Sequence, residues 1–150
     1  MNKTRILAVA VIFLILCSAG IIKIFYPSPV LKNFYIVVGI FELLLAIALV
    51  LFSRRGEIWA VLVLVFAAWG GYAFYTTLFG LPCSCLGSAL VLPRGVFFCL
   101  NLAIFGTSWG LLKGTSFSLL NFRWLSVLSI VLFVVGFVLS MLIYNFLVEV

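Results

Sequence analysis

The chain contains no histidine. That absence removes Ser-His-Asp and Cys-His catalysis and every histidine-ligated metal site. Charge is nearly as scarce. Asp, Glu, Lys and Arg make up 8% of the 150 residues, where a soluble domain carries about 25%. So few charges cannot cover a globular surface. The acids number 3 against 9 lysines and arginines, a formal charge of +6. Such an excess can mark a nucleic-acid binder, but here the cations stand singly between apolar runs. They read as markers of membrane topology, with no nucleic acid implied. Any chemistry must come from cysteine, a few carboxylates or a bound cofactor.

What fills the sequence is apolar, 67% of it. Crossing about 30 Å of hydrocarbon takes roughly 20 apolar residues. Five stretches qualify, approximately Ile6–Phe25, Phe34–Phe52, Ile58–Phe79, Val96–Leu112 and Trp124–Leu147. None contains proline. Pro27, Pro29, Pro82 and Pro93 fall between the first and second or the third and fourth stretches, as helix breakers should. The expected fold is an all-α integral membrane protein, one transmembrane helical domain over residues 1–150. Lys3 and Arg5 could also open a signal peptide, but the apolar run after them is long and no A-x-A site ends it. Leu14-Ile15-Leu16-Cys17 has a large residue, Leu16, where lipoprotein cleavage wants a small one.

Positive charge gives an orientation. With five spans, Lys3, Arg5, Arg54, Arg55, Lys113 and Arg123 share one side, and Lys23, Lys32 and Arg94 the other. The richer side should be cytoplasmic, which puts the N-terminus inside and the Gly80–Arg94 loop outside. Trp59, Trp109 and Trp124 then fall near the inner boundary, and Tyr26, Tyr35, Tyr75 and Tyr144 near the outer one. Small residues mark where helices approach closely, since burial alone does not join helices in lipid. Candidates are Ala67, Ala68, Gly70, Gly71 and Ala73 in the third stretch, Gly106 and Gly110 in G-x-x-x-G spacing in the fourth, and Gly136 and Ser140 in the fifth.

Cys83 and Cys85 form a C-x-C pair in the outer loop, within Leu81-Pro82-Cys83-Ser84-Cys85-Leu86-Gly87. Thiols this close can close only a small, strained ring, which is easier to reduce and so better suited to exchange than to stapling. Closing so little chain stabilises the fold only slightly. The predicted outer side is the oxidising side of a bacterial-type membrane. Two other readings stand beside this one: an inert turn disulfide or bystander thiols, and a soft-metal ligand pair for Cu(I) or zinc. No histidine and only 2 methionines are present to complete a metal site, so none is expected. Cys99, near the outer end of the fourth helix, is either a relay for the pair or a packing residue. Cys17, near mid-membrane in the first, is read the same way.

Glu42 lies in the middle of the second stretch. An ionised acid there costs about 2.5–3.5 kcal/mol on insertion scales, so it must face the bundle and find a partner. Lys23 is the expected cation, its stem turning inward from the end of the first helix, and Asn101 is a second candidate. As a functional group Glu42 would give or take protons beside the thiol chemistry. As a structural group, Glu42 and Lys23 would fix helix register.

Three segments together resemble the MauE/DoxX family of small redox-associated membrane proteins. Ala19-Gly20-Ile21-Ile22-Lys23-Ile24 is similar to the family's small residues before a lysine closing the first helix. Gly39-Ile40-Phe41-Glu42-Leu43-Leu44 is similar to its G-x-x-E-L-L, and Pro82-Cys83-Ser84-Cys85-Leu86-Gly87 to its P-C-G-C-F-G. Order and spacing agree through about Leu112. Ser84 and Leu86 depart from the usual glycine and phenylalanine, and many members have four helices, so the resemblance implies a bundle of four to five. It also implies thiol–disulfide handling beside a thioredoxin-like partner. In methylamine utilisation the family supports disulfide formation in a dehydrogenase subunit.

Two functions of different kinds follow. One is a membrane thiol–disulfide redox accessory protein, an oxidoreductase in chemistry. Its outward C-x-C loop would exchange with a thioredoxin-like protein or an extracytoplasmic client. Electrons would pass to or from a membrane quinone, by analogy with other disulfide-generating membrane proteins, although no quinone motif is visible. The other is a non-enzymatic membrane subunit or scaffold of a redox complex, its cysteines incidental. A small-solute transporter is a third, motivated by Glu42 alone.

Overall fold

The structure, a computed structural model, describes residues 3–27, 32–80, 95–115 and 119–148. Among these residues there are five α-helices and no strand: α1 (Lys3–Phe25), α2 (Lys32–Phe52), α3 (Gly56–Leu78), α4 (Val96–Lys113) and α5 (Leu119–Val148). All five are long and apolar enough to cross a membrane, making this an all-α, multi-pass membrane protein. In hydrocarbon a backbone must satisfy its own polar groups, and helices do so within each segment.

Apart from α3, which ends at Leu78 and not at Phe79, the helix ends that differ from the apolar runs lie beyond them. α1 begins at Lys3 and not at Ile6, and α5 begins at Leu119 and not at Trp124. Hydropathy marks where lipid begins, whereas a helix continues into the headgroup layer as long as its hydrogen bonds persist. Arg123 therefore ends the apolar run without ending the helix. α3 closes on Gly80, whose φ of 65 is the left-handed conformation glycine adopts most easily, with its N–H donating to Thr77 O at 3.4 Å. Gly95, at φ 84, turns the chain into α4, and the Cys99 N–H donates to Gly95 O at 2.9 Å.

The helices fall into two compact units. The first holds α1 and α2. Only residues 26–31 separate these helices, so they return side by side in opposite directions. Their facing stripes are Ile12, Leu16, Ala19, Gly20 and Lys23 on α1, and Gly39, Glu42, Leu45, Ala46 and Leu49 on α2. The steps of three and four are those of one helix face. On the other side, Leu7, Leu14 and Ile21 of α1 and Val37, Leu44 and Leu51 of α2 are exposed at seven-residue intervals, a surface for lipid.

The second unit holds α3 from Trp59 onward, α4 and α5. Here α3 and α5 touch backbone to backbone. A Cβ on Gly71 would stand 2.0 Å from Phe133 O, and one on Gly136 would stand 2.1 Å from Ala68 O. Aromatic rings fill the rest of this seam. Phe74 meets Phe98, Phe133 and Phe137 at centroid distances of 5.3, 5.9 and 6.1 Å. Tyr75 meets Phe137 at 5.3 Å and Tyr144 at 5.9 Å. The ring contacts advance along α5 as they advance along α3, from Phe74 on Phe133 to Tyr75 on Tyr144, so the two helices run the same way. Helices separated by one intervening span must do so.

Three expectations need correction. Gly106 and Gly110 of the G-x-x-x-G stretch are exposed, and nothing lies within 4 Å of a Cβ at either. They make no helix crossing among the described residues. Trp59 and Tyr75, placed in boundary belts by position, are 0% and 5% exposed and pack inside the protein. Trp124 does suit a boundary, at 70% exposed.

Candidate functional site

The polar centre of the first unit grows from two glycines. Gly20 and Gly39 oppose each other where α1 crosses α2, and a Cβ on either would come within 2.8 Å of the other's carbonyl oxygen. That approach leaves room on both sides of the crossing, which Lys23 and Glu42 occupy. Cα–Cβ bonds tilt toward a helix's own N-terminus. Because the helices are antiparallel, Lys23 leans back along α1 and Glu42 leans back along α2, and the two lean toward each other. Lys23 Nζ donates to Glu42 Oε1. The residues are 5% and 2% exposed, so this ion pair is sealed within the protein.

Burying two charges is expensive, and attraction offsets that expense only with good geometry and further hydrogen bonds. The pair meets half of this condition. Glu42 Oε2 is buried and has no hydrogen-bond partner among the described residues. Chemically the site is neutral as a whole. It ties α1 to α2 in one register, and it presents one open carboxylate oxygen that can accept a hydrogen bond or a proton.

The other candidates lie elsewhere. Asn101, the alternative partner for the acid, donates from Nδ2 to Phe97 O of its own helix at 2.8 Å, and its buried Oδ1 has no partner among the described residues. Cys17 is half-buried and Cys99 exposed, and both are free thiols. Cys99 sits in the first turn of α4. Cys83 and Cys85, with the whole Pro82–Gly87 motif, lie outside the described residues. Among the described residues no three of Cys, Asp, Glu or His gather as metal ligands would.

Sequence reasoning found the Lys23–Glu42 pair but not the Gly20–Gly39 crossing beneath it. The signal was a single glycine in each of two bulky apolar runs, which acquires meaning only when the two helices are set in register. Ser108, 0% exposed with a hydroxyl that has no partner among the described residues, was also missed. One serine in an apolar run carries no visible cue. No family model, no curated protein and no solved structure matches this chain.

Proposed function

We propose that this is a membrane thiol–disulfide redox accessory protein of MauE/DoxX type. Cys83 and Cys85 form a reversible dithiol/disulfide couple in a loop outside a bacterial-type cytoplasmic membrane, with the N-terminus inside. The observation that carries the reading is the α1–α2 seam. Two of the three segments on which the resemblance rests pack against each other, glycine on glycine and lysine on glutamate. Their contact supports reading them as one unit. The third segment supplies the chemistry.

In the oxidising direction, a thiolate of an extracytoplasmic client or thioredoxin-like partner attacks the Cys83–Cys85 disulfide. A mixed disulfide forms and one cysteine leaves as thiolate. The client's second thiolate then displaces the remaining cysteine. The client keeps a disulfide, and Cys83 and Cys85 hold the two electrons as a dithiol. The reverse order reduces the client. By analogy a membrane quinone exchanges those electrons, and none of the described residues is assigned to it.

Trapping tests this directly. Cys83→Ser and Cys85→Ser remove one thiol each, so whichever leaves the attacking sulfur without its resolving partner should accumulate a reducible higher-mass adduct on non-reducing gels. The double variant should show none. Membrane-impermeant maleimide on reduced, intact spheroplasts should label the wild-type loop. Absence of an adduct from both single variants, together with full pathway function in the double variant, would favour the scaffold. Labelling only after permeabilisation would reverse the orientation.

A further inference from the structure

At the N-terminal end of α5 an open groove of about 430 Å³ is lined by Trp124, Leu125, Val127, Leu128 and Val131. A cation is next to it in the chain. Arg123 precedes Trp124, is exposed, and forms no ion pair among the described residues. A second cation belongs to the same end, because Lys113 of α4 holds its ammonium 5.8 Å from the ring centroid of Phe122. Phe122 in turn packs on Trp109 at 4.7 Å, which fixes the end of α4 against the start of α5. Trp124 is 70% exposed, as suits an indole at headgroup depth.

We infer that this groove seats one acyl chain of an anionic phospholipid, with the headgroup phosphate beside Arg123 and Lys113. The lining is apolar, so a chain and not a polar solute suits it. Two cations at this end of the unit favour a negative headgroup. Guanidinium matches a phosphate by two parallel hydrogen bonds, and the lysine adds a point charge. The orientation proposed above puts this end in the cytoplasmic leaflet, where anionic lipid draws basic residues next to the membrane. The inference is independent of the thiol chemistry.

The test uses the full-length protein in a neutral detergent, with thermal unfolding followed as lipid is added. Phosphatidylglycerol should raise the midpoint well above the effect of phosphatidylcholine. Arg123→Gln should weaken the phosphatidylglycerol response about fivefold in lipid concentration, and Lys113→Gln by less. Arg123→Lys should keep most of it, which separates lost charge from lost fold. Leu128→Trp, filling the groove, should reduce the response to phosphatidylglycerol while leaving Arg123 in place. Arg54→Gln, in the other unit, should respond like wild type. Equal stabilisation by phosphatidylcholine, an unchanged response in Arg123→Gln, or an equal loss in Arg54→Gln would overturn the inference. So would stabilisation by glycerol phosphate alone, since the site would then take a soluble anion.

Discussion

The two helical units solve one problem in opposite ways. Lipid tails are as apolar as leucine, so helices in a bilayer gain little by burying leucine against leucine, and something else must hold them together. In the α1–α2 unit a glycine crossing is completed by a buried ion pair. In the α3–α5 unit a still closer glycine crossing is completed by rings, with Phe74 and Tyr75 at its centre. Two hydroxyls of α5 are spent locally. Ser129 donates to Leu125 O at 2.8 Å and Ser140 to Gly136 O at 2.5 Å, one turn back in each case. The charged seam is specific but has an open oxygen, whereas the aromatic seam is completed by ring contacts. A chain that needed only to fold could have used the second solution twice. That contrast makes the first unit the candidate site.

The largest effect should come from breaking the ion pair. Lys23→Met leaves a buried carboxylate without its cation, and Glu42→Lys sets two ammonium groups face to face. Each should cost about 3–5 kcal/mol and abolish accumulation in the membrane. Glu42→Gln keeps an acceptor and should fold tolerably. The double variant Lys23→Met, Glu42→Leu removes both charges and should accumulate at or above the wild-type level. If that variant is stable but loses thiol exchange, the pair serves function. If it is stable and active, the pair is a register device only. Quantitative immunoblotting of membrane fractions, with thermal unfolding in detergent, reads all four.

That pair also measures what a sequence can disclose. Glu42 was legible because an acid inside an apolar run has one physical excuse, a partner facing it, and Lys23 was the nearest cation on a neighbouring span. The helices were legible for a similar reason, since proline and apolar length are strong constraints in a bilayer. The α5 start was not legible, because polarity ends at Arg123 and helical hydrogen bonding does not. Gly71 and Gly136 were visible as small residues, but so were Gly106 and Gly110, and spacing alone does not separate a crossing from a lipid-facing face. Trp59 and Tyr75 misled because position along a helix gives depth in the membrane, while burial depends on azimuth around the helix.

The next effect should come from the crossings. Gly136→Ala puts a methyl 2.1 Å from Ala68 O, and Gly71→Ala puts one 2.0 Å from Phe133 O. The obstacle in each case is backbone, which cannot rotate away. Overpacking of this kind costs about 1–3 kcal/mol, occasionally more. Gly20→Ala and Gly39→Ala face an opposing carbonyl at 2.8 Å and should lie at the lower end. Thermal midpoints should therefore fall further for the aromatic unit than for the charged one. The opposite order would mean that rings re-pack around a displaced helix more readily than an ion pair does.

The smallest effect, with opposite sign, belongs to Gly106 and Gly110. Both lie within α4, and open space surrounds each. Glycine in a helix interior is worth roughly 0.5–1 kcal/mol less than alanine, because its backbone loses more freedom on folding. With nothing for a methyl to strike, Gly106→Ala and Gly110→Ala should each leave stability unchanged or raise it by up to that amount. Gly106→Leu should also be tolerated, since the added side chain projects into lipid. A thermal midpoint at or above wild type is the expected result, with the same elution volume in size-exclusion chromatography. A loss as large as that of Gly136→Ala, or a shift to smaller particles, would mean that another chain packs against this face. The G-x-x-x-G spacing would then be a true crossing between molecules, and the contrast between touching glycines and exposed ones would have to be redrawn around it.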